Sequence, residues 1–267
     1  MIDFHSHILP GMDDGAENVR MSLRMLRESA RQGVDVIFAT PHFYADQEDP
    51  AAFLKRRTHA YETLMTALAE ENIAAMNICL GAEILYFPGM CGAEELCRLK
   101  MGSTPCLLIE PPMMPWSDTM LDEIEQTGKN LRCIPVIAHI DRFIRMLGDY
   151  TLFDRVKGRR LLIQVNASFF LHSDTAKLAV SYLQRGSIQF IGSDCHDMDM
   201  RAPNIGKAAS AIRDSGAGKS LSELNRRIYC FLDECGGAGS GVSLIYLRLK
   251  LDRYEEDIWK RRISKRG

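Results

Sequence analysis

The chain has 267 residues, of which 46% are hydrophobic and 25% are charged, and its formal net charge is −2. This balance is ordinary for a globular protein and gives no whole-chain argument for binding nucleic acid or an anionic membrane. It has no apolar run long enough to predict a membrane span, its first residues lack the pattern of a signal peptide, and its eight cysteines form no CxxC pair. We therefore expect one large or two small domains in a cytoplasmic protein with reduced thiols.

Short apolar runs alternate with longer amphipathic runs along the chain. The predicted strands span residues 2–5, 34–39, 75–80, 106–110, 133–138, 161–166 and 188–193, and the predicted helices span 17–32, 50–71, 117–127, 174–185, 205–215 and 220–232. The strands are nearly continuous in their apolarity, which is typical of buried parallel strands. About seven βα units in a row predict a single α/β domain with a barrel as its natural closure.

Two segments depart from this alternation. The proline-rich run 110–116 predicts a rigid loop at the rim of the strand ends. Residues 1–234 are predicted to form the barrel, and 235–267 read as a glycine-rich linker followed by a basic tail of unknown role. For the tail, a solvated helix or frayed end is favoured over contact with an acidic lipid or a partner protein.

Histidines and acids stand where the predicted strands end. The residues in these positions are His5, His7, His42, Glu83, Glu110, His139, Asp194 and His196. In α/β barrels, functional side chains gather at the carboxyl ends of the strands. Imidazoles and carboxylates from many separate strands are what a multinuclear metal centre needs, although each motif alone is a weak signal.

The ligand chemistry limits the metal. His5 and His7 are two residues apart on an extended segment and project to the same face. In the following Asp-Asp-Gly turn, either Asp13 or Asp14 can add a carboxylate to that cavity. Mixed nitrogen and oxygen donors suit Mn, Fe, Zn or Co better than Ca, whose ligands are all oxygen, and do not form an all-thiolate site.

These motifs resemble the polymerase and histidinol phosphatase (PHP) superfamily. More narrowly, the chain is similar to the bacterial manganese-dependent protein-tyrosine phosphatases associated with capsule and exopolysaccharide synthesis. The resemblance rests on the opening run 1–15 with its Asp-Asp-Gly, and on the segments 39–42, 81–83, 109–110, 135–142, 164–166, 193–196 and 201–203. The match runs in order from residue 1 to about 215.

The resemblance implies a PHP-type distorted (β/α)7, TIM-like barrel that holds three divalent ions, with Mn expected and Fe, Zn, Co or Mg as alternatives. By this analogy, one ion is held by His5, His7, Glu83 and Asp194, a second by Glu83, Glu110 and His139, and a third by Asp14, His42 and His196. Arg142 and Arg201 match the family's phosphate-binding positions. Asp141 departs from the family, which usually has Glu there, and the linker and tail match no family feature.

The resemblance also implies an activity. A phosphotyrosine protein, expected to be the tyrosine-rich tail of a bacterial tyrosine kinase, would be hydrolysed by metal-activated water. A small phosphomonoester such as histidinol phosphate is the alternative substrate, and an inactive adaptor for a capsule-assembly kinase is the non-enzymatic alternative. A 3′-exonuclease is disfavoured because the chain has no polymerase segment and no net basic character. A homo-oligomer is left open.

A competing motif lies inside the same set. Cys195 and Arg201 satisfy C-x5-R, the pattern of cysteine-dependent tyrosine phosphatases. That chemistry needs a loop of backbone N–H groups around the phosphate and a thiol of low pKa. Here the loop contains Asp197 and Asp199, which would repel a phosphate dianion, and no glycine. We therefore predict that Cys195 is not a nucleophile.

Overall fold

The computed structural model describes residues 1–71 and 76–236. Within those ranges the strands are β1 Ile2–Ser6, β2 Val36–Ala39, β3 His42–Phe43, β4 Asn77–Leu80, β5 Glu83–Leu85, β6 Cys106–Glu110, β7 Ile134–Ile137, β8 Leu162–Asn166 and β9 Phe190–Gly192. The α-helices are α1 Val19–Arg31, α2 Pro50–Glu70, α3 Asp118–Asn130, α4 Ile140–Leu147, α5 Leu152–Val156, α6 Ala176–Gln184, α7 Ile205–Asp214 and α8 Gly218–Gly236. Short 3₁₀ helices span Met90–Gly92, Glu94–Leu99 and Ala167–Phe170.

The strands form a curled parallel sheet. One part has the order β1-β2-β4 and the other the order β3-β5-β6-β7-β8-β9. The first strand also contacts the segment after the last one, because the His7 amide donates to the Cys195 carbonyl at 2.9 Å and the Asp194 amide donates to the His5 carbonyl at 2.8 Å. Helices follow most strands, so the described chain is a mixed α/β domain with one continuous apolar core.

Two predicted strands end where expected, but each is followed by a further short strand that was not predicted. The strand predicted at 34–39 ends at Ala39 and resumes as β3 after Pro41, because proline cannot donate to a strand ladder. Similarly, β4 ends at Leu80 and β5 begins two residues later. His42 and Glu83 lie just beyond the ends of β2 and β4, as predicted, and also begin β3 and β5, where they pair with each other. Residue 75, the start of the third predicted strand, lies outside the described residues.

Helices α4 and α5 were not predicted. They fill the connection between β7 and β8, and α4 begins directly after His139 and ends at Gly148, whose φ is +66°. α5 is too short to show a 3.6-residue apolar period, whereas Ile140, Phe143, Ile144 and Leu147 of α4 stand at helical spacing and could have predicted that helix. By contrast, the proline-rich run after Glu110 forms no helix or strand before α3, as its composition predicts.

The core explains why His5 of β1 faces the site. Phe4 is fully buried and its ring stacks on Phe190 at a centroid distance of 3.7 Å, with Phe38 at 4.7 Å. Because side chains alternate across a strand, the burial of Phe4 against these two rings places His5 on the opposite face of β1. A one-residue slip of β1 would expose the aromatic ring to the site and bury the imidazole among apolar groups.

The predicted division at residue 234 falls inside α8, which runs to Gly236. The remainder of the predicted linker and basic tail, 237–267, lies outside the described residues. In the part of the chain that is described, no helix is both long and apolar enough to cross a membrane.

Candidate metal centre

All nine side chains predicted as ligands converge at the carboxyl edge of the sheet. Their nitrogen and oxygen atoms form three groups, in each of which the atoms lie within 4.8 Å of one another: His7, Asp14, His42 and His196; His5, His7 and Glu83; and His42, Glu83 and Glu110. His139 and Asp194 lie beside these groups, at the distances given below. Parallel strands place their carboxyl ends together, so residues far apart in sequence meet at one edge.

Glu83 lies at the centre of the cluster and has no solvent exposure. Its Oε2 is 3.1 Å from His5 Nε2 and 3.2 Å from His7 Nε2. Its Oε1 is 2.8 Å from His139 Nε2. One carboxylate therefore faces imidazoles on both sides, which is the arrangement needed to bridge two cations.

The carboxylates of Asp13 and Asp14 lie in different places and contact different histidine atoms. Asp14 Oδ1 lies 3.5 Å from His42 Nε2 and 3.3 Å from His196 Nε2, and its side chain is 65% exposed. Asp13 instead lies behind the ring of His7, 2.7 Å from Nδ1, and accepts a hydrogen bond from the His42 amide at 2.9 Å. Asp14 is thus in the donor group, whereas Asp13 orients two candidate ligands, as carboxylates behind metal-bound histidines do.

The remaining predicted ligands are arranged less simply than the family analogy implies. His139 Nε2 lies 3.3 Å from Glu110 Oε1, so these two side chains are neighbours, although Glu110 also shares a donor group with His42 and Glu83. Asp194 Oδ1 lies 3.7 Å from His5 Nε2 and accepts a hydrogen bond from Arg201 Nη2 at 2.7 Å. In this structure Asp194 is therefore shared between the histidines and an arginine.

The two predicted phosphate-binding arginines lie at the mouth of the cluster. Arg142 Nη1 is 3.8 Å from Glu110 Oε1, and its side chain is 40% exposed. Arg201 is 34% exposed and reaches Asp14 Oδ2 at 3.9 Å through Nη1. Both guanidinium groups thus touch the carboxylates of the cluster while remaining open to solvent.

Amide side chains of β8 also shape the site. Gln164 Oε1 accepts a hydrogen bond from the His139 amide at 2.7 Å and lies 3.2 Å from His5 Nδ1. Asn166 Nδ2 donates to Asp194 Oδ2 at 2.8 Å, and the backbone amide of Asn166 donates to Asp141 Oδ1 at 2.8 Å. The sequence offered one signal for these roles, two amides at the end of an otherwise apolar strand, but no indication of which ligand each would contact.

Backbone strain is concentrated at the same edge. His139 has φ +27° and Asp194 has φ +53°, in the left-handed region that residues other than glycine seldom occupy. Such conformations persist only where the surrounding structure enforces them, and they cluster at functional sites.

The electrostatics of the site favour positive charge among its carboxylates. Burial lowers the pKa of His7, but hydrogen bonds to Asp13 and Glu83 and their charges outweigh it and raise that pKa to about 10. His139 shifts in the same direction, because Glu110 and Glu83 outweigh its burial. Without cations, the buried carboxylates are therefore balanced by protons on imidazoles.

The unpartnered donors fit divalent ions. His42 Nδ1 and His196 Nε2 are buried and have no hydrogen-bond partner among the described residues, although both face carboxylate oxygens. Burial, with the charge of His7, lowers the pKa of His196 to about 4, so its ring is neutral and keeps a lone pair at neutral pH. Neutral imidazoles and ionised carboxylates are the forms that bind metals.

Cys195 lies within this region but differs from a reactive thiol. It is fully buried, and burial, aided by the charge of Asp3, raises its pKa above the ordinary value. A nucleophilic cysteine needs the opposite shift.

Comparisons with known proteins agree with this geometry. A family model described as capsular polysaccharide synthesis, CpsB/CapC, matches residues 1–227. The tyrosine-protein phosphatase CpsB of Streptococcus agalactiae serotype V is 29% identical over 239 residues, which cover 81% of this chain and 91% of that protein. The tyrosine-protein phosphatase YwqE of Bacillus subtilis strain 168 is 28% identical over 212 residues, which cover 75% of this chain and 79% of that protein.

A solved structure is also similar. It is described as belonging to the crystal structures of YwqE from Bacillus subtilis and CpsB from Streptococcus pneumoniae, unique metal-dependent tyrosine phosphatases. The TM-score is 0.73 at 26% sequence identity, and the match covers 85% of this chain and 92% of that chain. The resemblance to capsule-associated phosphatases is thereby confirmed, and the chain belongs to the CpsB/CapC family of capsular polysaccharide synthesis proteins.

Proposed function

We propose that the protein is a metal-dependent protein-tyrosine phosphatase. The observation that carries the proposal is the convergence of nine nitrogen and oxygen donors below two half-exposed arginines. Cations in the cluster and guanidinium groups at its mouth would together neutralise a phosphate dianion. The names of the S. agalactiae and B. subtilis relatives support the same activity.

Three divalent ions, with Mn as the expected metal, form part of this proposal. The first would be held by His5, His7, Glu83 and Asp194, the second by Glu83, Glu110 and His139, and the third by Asp14, His42 and His196. Support comes from the three groups of neighbouring donor atoms, two of which contain Glu83. Nitrogen and oxygen donors in these numbers suit Mn and its first-row neighbours.

The chain's own residues would bind and orient the substrate. Arg142 and Arg201 would bind the phosphoryl oxygens, and their contacts with Glu110 and Asp194 hold the guanidinium groups at the mouth. When bound, the divalent ions supply Lewis acidity, which lowers the pKa of water and offsets charge on the phosphoryl oxygens. The leaving phenolate has a pKa of about 10 and departs with less need of a general acid than an alkyl alkoxide.

We also propose that the curled sheet closes as a distorted (β/α)7 barrel. Taking β2 with β3 and β4 with β5 as bent continuous strands yields seven strands. The register pairs that link β2 to β4 and β3 to β5 support this reading. The bridge between Ser6 and Cys195 supports closure between the first strand and the end of the last.

For the physiological substrate, we propose a flexible phosphotyrosine segment, the tyrosine-rich tail of a bacterial tyrosine kinase. The support is the mouth of the site, where the arginines are open to solvent and can accept a phosphate carried on an extended chain. Membership of a capsular polysaccharide synthesis family agrees with such a role.

The test measures turnover of three substrates, and then the effect of EDTA and of Cys195→Ser on that turnover. With Mn present, the protein should turn over a phosphotyrosine peptide faster than a phosphoserine peptide or histidinol phosphate. EDTA should abolish this activity and Mn should restore it, whereas Cys195→Ser should retain it because the thiol is buried and its pKa is raised.

Two results would contradict the proposal. A preference for histidinol phosphate would assign the site to a small phosphomonoester. Loss of turnover in Cys195→Ser with unchanged metal content and folding, together with resistance to EDTA, would favour the cysteine mechanism.

A further inference from the structure

Tyr44 lies at the mouth of the cluster in a position that none of the metal or phosphate assignments uses. It follows β3 directly, and its carbonyl accepts hydrogen bonds from the amides of Gln47 and Glu48 at 3.1 and 3.2 Å. These bonds fix the turn after the strand. The backbone of Tyr44 therefore lies between a strand on one side and a hydrogen-bonded turn on the other.

Tyr44, one residue beyond β3, continues the alternation of the strand and lies on the same face as His42. Residues two apart on a strand project to the same face, and the second lies closer to the carboxyl edge. Phe43 between them is buried on the opposite face, where its ring contacts Phe53 at a centroid distance of 5.3 Å. Tyr44 therefore extends the wall of the site outward from His42.

The two rings are stacked. The centroids of His42 and Tyr44 are 5.4 Å apart and their planes differ by 23°. Tyr44 remains partly exposed, so part of its ring is still available to another molecule. Burial, then the charges of Glu110 and Asp14, raises its pKa to about 12, which indicates that the phenol lies near carboxylates of the cluster and stays neutral.

We propose that Tyr44 determines specificity for aromatic phosphomonoesters. Its ring would form a wall against which the phenyl ring of the bound substrate packs where that ring projects outward from the metal centre. This inference rests on the phosphatase activity proposed above. An aryl phosphate carries its ring immediately beyond the ester oxygen, at the level of the site where Tyr44 stands, whereas phosphoserine has no ring there. Offset aromatic contacts favour the aryl ligand by about three- to tenfold.

The test measures binding rather than turnover. Phenylphosphonate and methylphosphonate share the anionic group and are not hydrolysed as esters, so their Kd values can be measured by calorimetry on the Mn-loaded protein. We expect the wild type to prefer phenylphosphonate. In Tyr44→Ala and Tyr44→Leu the ratio of the two Kd values should fall by about three- to tenfold, and in Tyr44→Phe it should be kept.

Tyr61→Leu is the matched control, because Tyr61 packs against the core from α2. Its ratio should equal that of the wild type. An unchanged ratio in Tyr44→Ala, or an equal loss of affinity for both phosphonates, would overturn the proposal, the second result showing that Tyr44 acts only by supporting His42. If the wild type shows the phenyl preference but fails to hydrolyse phosphotyrosine, the proposed function fails, while the preference of Tyr44 for an aryl ligand in binding stands.

Discussion

At the residue scale, Asp13 shows how a carboxylate can organise a metal centre without joining the donor group. One of its oxygens contacts His7 Nδ1 and accepts from the His42 amide, so it sets the positions of two candidate ligands. The His7 contact, with hydrogen bonds from the backbone, lowers the pKa of Asp13 although burial opposes this. The group is therefore ionised and able to hold His7 with Nε2 free for a cation.

We predict that Asp13→Ala lowers the affinity for Mn by about 10- to 100-fold, because the His7 ring loses the carboxylate that orients it. The affinity is measured by titrating the chelator-stripped protein with Mn. Asp46→Ala, at an exposed position after β3, is the control and should bind as the wild type does. Unchanged affinity in Asp13→Ala would mean that the hydrogen bond has no influence on the centre.

At the element scale, the close approach of β1 and β9 depends on a residue without a side chain. A Cβ on Gly192 would lie 2.9 Å from the His5 backbone nitrogen and closer still to the His5 Cβ. Neither neighbour is the far end of a flexible side chain, so the strands would have to separate. The placement of His5 is thus coupled to the contact between the first and last strands.

We predict that Gly192→Ala destabilises the protein by about 1–3 kcal/mol and weakens Mn binding, because overpacking displaces β1 and with it His5. Urea unfolding and Mn titration would measure the two effects. Gly92→Ala is the matched control, since a Cβ there meets nothing within 4 Å and its φ needs no glycine. Stability of Gly192→Ala equal to that of Gly92→Ala would contradict the argument.

The breaks between β2 and β3 and between β4 and β5 are also features of whole elements, and they help to position the site. Arg57 of α2 is buried, and its Nη1 donates to the Gly81 carbonyl at 2.5 Å, at the second break. This hydrogen bond satisfies a carbonyl that a continuous ladder would otherwise use. The break then lets Glu83 begin a new short strand facing the histidines.

At the scale of the whole molecule, the metal centre joins elements from both ends of the chain. Donors come from β1, β3, β5 and β6 and from the segments after β1, β7 and β9. Any ion bound to them would bind the folded chain far better than the unfolded one, and would therefore stabilise the fold. Removing ions leaves protons to balance the buried carboxylates, which makes the stability of the metal-free protein depend on pH.

We predict that the difference in Tm between Mn-loaded and EDTA-treated protein widens as the pH rises from about 6.5 to 9. The pKa of His7 is raised from 6.5 to about 10 in the metal-free fold. A raised histidine pKa contributes stability that is complete below about pH 6.5 and is lost as the pH rises toward 10. Thermal unfolding at several pH values measures the difference, and a constant or narrowing difference would contradict the prediction.

Much of the site follows from the sequence, because its signals are local. The strand-like runs at 2–5 and 106–110 and the acids and histidines beside them could be recognised from period and residue type alone. The roles of Gln164 and Tyr44 could not, because an amide or an aromatic ring in a sequence does not specify its partner. The short strands β3 and β5, which resume after Pro41 and Gly81, were also missed.

By itself, the sequence determined the α/β alternation, since this depends on period-two and period-3.6 patterns. Its short motifs also indicated the family resemblance and the candidate donor residues. Only the tertiary structure decided which of Asp13 and Asp14 joins the donor group, that Glu83 stands between four imidazoles, and that Tyr44 covers His42. The physical reason is that these contacts join residues remote in the chain. Their distances are set by how strands pair and how side chains pack, which no local pattern contains.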